Sequence, residues 1–142
     1  MRPKVVAGNW KMNGDQSFVH DYFKSFKAGW EKYSLAQYAD LDIVIIPPVL
    51  LMPAVKACID NEELDISLAA QNVAAYSSGA YTGEVSSAML HDASCTAALV
   101  GHSERRALFG DTDLVIIEKV KQLLAQGLKP ILCLGETLEE RE

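Results

Sequence analysis

The chain has 142 residues, 49% of them hydrophobic, which is enough apolar material for one globular domain with a core and too much for a disordered chain. Its 19 acidic and 13 basic side chains leave a formal net charge of −6, and no block of lysines and arginines appears, which argues against a nucleic-acid partner. No apolar run reaches the length of a membrane span, and the N-terminus turns polar at Gly8-Asn9, too early for a secretory signal, so a soluble cytoplasmic protein is expected.

Lys4-Val5-Val6-Ala7-Gly8 predicts a short strand, left by the loop Asn9-Trp10-Lys11-Met12-Asn13-Gly14. From Ser17 to about Tyr33, Phe18, Val19, Tyr22, Phe23, Phe26 and Trp30 recur at helical spacing, which predicts an amphipathic helix with an aromatic core stripe and a solvated His20. Leu41-Asp42-Ile43-Val44-Ile45-Ile46 is a second strand, stopped by Pro47-Pro48, and a helix with Pro53 in its first turn follows over Leu51 to Asn61. Leu64 to Ala70 reads as the third strand. The loop from Gln71 to Val85 is long for a strand-to-helix connection and suggests a functional or interface role. A short helix over Ser86 to His91, with His91 at the surface, leads to a fourth strand ending Ala97-Ala98-Leu99-Val100.

Behind that strand stands Gly101-His102-Ser103-Glu104-Arg105-Arg106, at the junction of a strand's carboxyl end with a helix's first turn, where α/β enzymes place their chemistry. Candidate caps in Gly110-Asp111-Thr112-Asp113 precede a helix over Asp113 to Gln126, with Leu114, Ile117, Val120 and Leu124 as its expected buried stripe and Gly127 as its left-handed exit. Ile131-Leu132-Cys133-Leu134-Gly135 reads as a fifth strand, and Thr137-Leu138-Glu139-Glu140 has the form of a capping box. A helix capped two residues before the last one, and a parallel sheet with two unpaired edges, read as an interrupted fold. Cys58, Cys95 and Cys133 lie among apolar neighbours without C-x-x-C spacing, so free buried thiols are expected rather than disulfides or zinc.

Five segments in order resemble the N-terminal part of the triosephosphate isomerases: Gly8 to Asn13, Ala70 to Val73, Gly79 to Ser86, Val100 to Arg106, and Cys133 to Arg141. The resemblance implies an α/β fold, the eight-stranded (β/α) barrel, with its site at the strands' carboxyl ends and only strands one to five present here. It implies a proton transfer between neighbouring carbons of a triose phosphate through an enediol(ate). The pattern known for that family is a neutral histidine that polarises the carbonyl and a glutamate that acts as base. His102 matches the histidine and Lys11 the active-site lysine, with Asn9 and Lys11 contacting substrate. Ser103, Glu104 and Cys133 match supporting residues. The resemblance further implies a homodimer, with Gln71, Thr82, Gly83, Glu84 and Arg105 at its interface and Glu84 paired with Arg105 across it, and no cofactor or metal. Strands six to eight, which carry the base, the lid and the phosphate-binding turn, fall outside these residues, so the isolated chain is expected to be inactive. The alternative reading is a non-catalytic half-barrel that binds sugar phosphates or partner chains. A nucleotide-binding module is disfavoured, because neither G-x-G-x-x-G nor G-x-x-x-x-G-K-[ST] occurs.

Overall fold

A computed structural model describes residues 4–38, 40–136 and 138–142. Five strands, β1 (Lys4–Asn9), β2 (Leu41–Ile46), β3 (Ser67–Ala70), β4 (Ala97–Val100) and β5 (Lys129–Leu132), form one parallel sheet in the order β1-β2-β3-β4-β5. Between them run α1 (Gln16–Lys32), α2 (Met52–Asn61), α3 (Ser87–Asp92), α4 (Ser103–Phe109) and α5 (Asp113–Ala125), and α6 (Leu138–Arg141) follows β5. Each strand pairs with its successor in the chain, as in β1 against β2 with Lys4 opposite Leu41 and Asn9 opposite Ile46. This is the succession of a parallel barrel, carried through strands one to five.

The period of two along each strand sorts the core into two faces. Ile45, Leu68, Ala70, Ala98 and Val100 join Val19, Phe23, Val55 and Leu123 from the helices, while Val44, Ile46, Ala69, Ala97 and Leu99 pack together on the opposite face. β1 is largely exposed and β5 is only half-buried, and among the described residues neither edge strand has a second partner.

Local signals explain most boundaries. Asp15 caps α1 by accepting from the Phe18 N–H at 2.8 Å, and Thr112 caps α5 by accepting from the Val115 N–H at 3.4 Å. Pro53 sits in the first turn of α2, which is entered through a 3-10 turn at Val49–Leu51. Gly127, at φ +71°, carries the left-handed exit after α5.

Several expectations need correction. The buried face of α5 is Ile116, Lys119 and Leu123, with Val120 half-buried, whereas Leu114, Ile117 and Leu124 are exposed. A charged residue in the middle of the true stripe made the helix read one residue out of register. β5 ends at Leu132, although the Cys133 N–H still donates to the Val100 carbonyl at 2.9 Å, and β3 begins only at Ser67. All three cysteines are free, but only Cys95 is fully buried, and burial pushes its thiol up to about 12. The expected capping box includes Thr137, which lies outside the described residues.

Candidate functional site

The carboxyl ends of β1 and β4 bring the chemically distinctive side chains together. Gly101 has φ +72°, and a Cβ there would meet the Arg106 Nη2 at 3.0 Å and the Ile116 Cδ1 at 3.1 Å, so only glycine makes this turn without displacement. Arg106 holds the turn by donating from Nε to the Gly101 carbonyl at 2.8 Å. His102 then caps α4, its Nδ1 accepting from the Glu104 N–H at 3.3 Å. In the neutral ring that acceptor role assigns the proton to Nε2, which makes Nε2 the donor.

On the other side, Lys11 follows β1 and leans on Glu104, with Nζ 2.5 Å from Oε1. The hydrogen bond from Lys11 holds the Glu104 carboxyl below its ordinary value, against a smaller opposing effect of desolvation. The second Glu104 oxygen lies 3.7 Å from His102 Nδ1, so this carboxylate stands between the lysine and the histidine. Asn9 Oδ1 accepts from the Lys11 N–H at 2.9 Å, and Gln71 Nε2 donates to the carbonyls of Lys11 at 2.7 Å and Ile46 at 3.1 Å. Asn9, Lys11, Gln71, His102, Glu104 and Arg105 all line one open cavity of about 270 Å³. Glu104 is the one carboxylate lining it among the described residues.

Beneath the cavity lies a polar lock that the sequence did not announce. Lys119 and Asp111 are buried and bonded at 2.7 Å; Lys119 also donates to Asn72 Oδ1 at 2.8 Å, and Arg105 Nε donates to Asp111 Oδ2 at 2.9 Å. Burial pushes the Asp111 carboxyl up, but the hydrogen bonds from Lys119 and Arg105 outweigh it and leave the group below its ordinary value. Asp111 had shown only as a helix-cap candidate, and Lys119 lay between expected core positions. The usable signal was a lysine spaced three residues after Ile116 and four before Leu123.

A family model described as triosephosphate isomerase matches residues 4–142. The chain belongs to the triosephosphate isomerase family. The triosephosphate isomerase of Marinobacter nauticus is 46% identical over 142 residues, covering 100% of this chain and 54% of the relative. Those of Syntrophotalea carbinolica and Thermus thermophilus are 46% and 42% identical, again covering 100% of this chain and 54% of each relative. The chain thus spans about half the length of the curated relatives it matches.

Of the residues singled out by the triosephosphate isomerase resemblance, Asn9, Lys11, His102, Glu104, Gln71 and Arg105 meet at the cavity. Ser103 opens α4 and is exposed, and Cys133 is half-buried against the Val44 and Leu99 cluster, of which Leu99 lines the cavity and Cys133 does not. Burial raises the Cys133 thiol despite the nearby Arg106 charge, which suits packing better than nucleophilic attack. Thr82, Gly83 and Glu84 are exposed on the 71–85 loop, which is pinned by Ala74 N–H to Val85 O at 2.8 Å and by Tyr76 stacked on Tyr81 at 4.0 Å. Gly83 and Glu84 line a second cavity of about 190 Å³. Among the described residues no helix is long and apolar enough to cross a membrane, and no cluster of His, Cys, Asp and Glu could hold a metal ion.

Proposed function

We propose that the protein interconverts dihydroxyacetone phosphate and glyceraldehyde 3-phosphate, and that this chain supplies the charge-stabilising half of the site. The observation that carries the reading is the meeting of Lys11, Asn9 and His102 from the ends of two strands in one small cavity. Moving a proton between adjacent carbons passes through an enediol(ate), whose oxygens gain charge as the carbon loses its proton. An ammonium at Lys11 and an Nε2–H at His102 are suited to stabilise that oxygen, and Lys11 suits the phosphate as well. Asn9 spends its carbonyl oxygen on the Lys11 N–H, which keeps the lysine backbone in place and reserves the amide N–H groups for a ligand.

The base is a different matter. A carbon acid needs a carboxylate with proton affinity to spare, and Glu104 is tied to Lys11 and held below its ordinary value. These 142 residues by themselves therefore do not turn over, and the whole protein's base is a glutamate outside them, as in the family pattern. The substrates are soluble triose phosphates, consistent with a cytoplasmic protein of one domain, and proton transfer of this kind runs on side chains without metal or organic cofactor.

The reading includes a homodimer whose contact is built from Gln71, Thr82, Gly83 and Glu84, with Glu84 reaching the partner's Arg105. Within one chain Arg105 uses Nε and Nη2 on Asp111, at 2.9 and 3.5 Å, which reserves Nη1 for that contact.

The test is a coupled isomerase assay on the protein as its source makes it, alongside the 142 residues alone. Turnover by the first, and a rate lower by at least about 10²-fold for the second, is expected. No turnover by the natural protein would favour the alternative of a sugar-phosphate-binding half-barrel, and turnover by the 142 residues would place a base among them.

A further inference from the structure

Lys11 holds φ +54°, a left-handed backbone that a lysine rarely adopts, so its surroundings must impose it. Three polar contacts pin this loop: Lys11 N–H to Asn9 Oδ1, Gln71 Nε2 to the Lys11 carbonyl, and Asn13 Nδ2 to the Trp10 carbonyl at 2.8 Å. The remaining restraint is mainly aromatic packing. The Trp10 indole, one residue before Lys11, is boxed by two rings from the first turns of α1: Phe18 edge-on at 5.0 Å and 86°, and Tyr22 at 4.9 Å and 63°. Phe18 and Tyr22 are one turn apart and therefore on one face of the helix. Phe18 touches the loop's other end too, since a Cβ on Gly14 would meet the Phe18 Cδ1 at 2.8 Å.

Core burial accounts for Tyr22 only in part, since it packs against the core beside Phe23, and for Phe18 not at all. The sealed positions of α1 are Val19 and Phe23, whereas Phe18 is 40% exposed and Tyr22 half-buried. Farther along the helix Phe26 packs on Tyr22 and Trp30 on Phe26, continuing the row of rings away from the loop.

We propose that Phe18 and Tyr22 are positioning residues for Lys11: their rings clamp the Trp10 indole, and the clamped indole fixes the left-handed lysine so that its ammonium reaches Glu104 and the cavity. The proposal rests on the reading of Lys11 as the site's lysine. The Tyr22 ring packs on the indole and its hydroxyl accepts from the Trp10 side chain, so this residue holds Trp10 in two ways.

The experiment compares Phe18→Leu and Tyr22→Leu with Phe26→Leu, which removes a ring from the same row without touching Trp10. In the protein as its source makes it, the Lys11 amide is followed by hydrogen exchange. Both clamp variants should exchange Lys11 at least about tenfold faster while β1 and β2 amides keep their rates, and Phe26→Leu should leave Lys11 unchanged. The kcat/KM for triose phosphate should fall about 10- to 100-fold in the clamp variants, and less in Tyr22→Phe, which keeps the ring and loses only the hydroxyl contact to Trp10. Unchanged Lys11 exchange in both clamp variants, or equal acceleration in Phe26→Leu, would overturn the proposal. Exchange needs no turnover, so an inactive parent protein would sink the isomerase reading while the clamp is still decided by the exchange rates.

Discussion

Lys11–Glu104 and Lys119–Asp111 are the same two chemical groups in opposite surroundings. At the cavity the side chains are 52% and 46% exposed; beneath it they are 4% and 5% exposed. Water can rehydrate either member of the exposed pair, so that contact is cheap to break and the ammonium remains available to an incoming anion. Breaking the buried pair strands a charge where little water reaches it, so that contact works as a lock between the 71–85 loop, α4 and α5. Burial, together with the added hydrogen bonds to Asn72 and from Arg105, separates a fixed charge from a movable one.

The comparison breaks first at the lock. Asp111→Asn leaves Lys119 charged without its carboxylate and should cost about 3–5 kcal/mol, read as a lowered urea midpoint, while Lys119→Met combined with Asp111→Leu should recover part of the loss. The pH dependence has a definite sign. Asp111 is held below its ordinary 3.8, so its stabilisation is present above that value and is lost as pH falls through its lower folded value; Lys119→Met should flatten the acid limb of the unfolding free energy below pH 3.8.

At the cavity the effects should fall on rate and leave stability nearly alone. Lys11→Met should lower kcat/KM of the whole protein by about 10²–10³-fold with a melting midpoint close to that of the parent. Glu104→Gln should do less, about tenfold, because the lysine loses its rest but keeps its charge. Glu104 also titrates in the same sense as Asp111: the stabilisation from its pair is fully present above the ordinary 4.5 and is lost as pH falls through the depressed value. If Lys11→Met instead lowered the urea midpoint as far as Asp111→Asn, the two pairs would not differ in kind.

The strands and the candidate site were legible in the sequence for one reason, and the lock was hidden for another. β2, β4 and the turn at His102 follow from short apolar runs ended by Pro47 or Gly101, signals that act within a few residues. Lys11, His102 and Glu104 were recognisable through motifs; their meeting at 2.5–3.7 Å depends on β1 and β4 standing on the same sheet with their ends together. Lys119 stayed outside the expected stripe because hydrophobic periodicity passes over a lysine, and its partners Asp111 and Asn72 lie 8 and 47 residues away. Leu114, Ile117 and Leu124 were assigned to the core on the same periodicity, yet nothing among the described residues covers them fully. Gln71 was placed at an interface by resemblance, while its amide holds the Lys11 and Ile46 carbonyls, a contact across 60 and 25 residues that only the folded sheet brings about.

The central claim is that His102 and Lys11 stabilise an enediol(ate) formed by proton transfer between neighbouring carbons. Its most direct test is triose phosphate turnover in D₂O by the protein as its source makes it, with deuterium in the product followed beside the His102→Gln variant. Deuterium should appear on the carbon that receives the proton, and His102→Gln should slow its appearance by about 10²–10⁴-fold. Labelling at the parent rate in His102→Gln, or isomerisation slowed in neither His102→Gln nor Lys11→Met, would contradict the account.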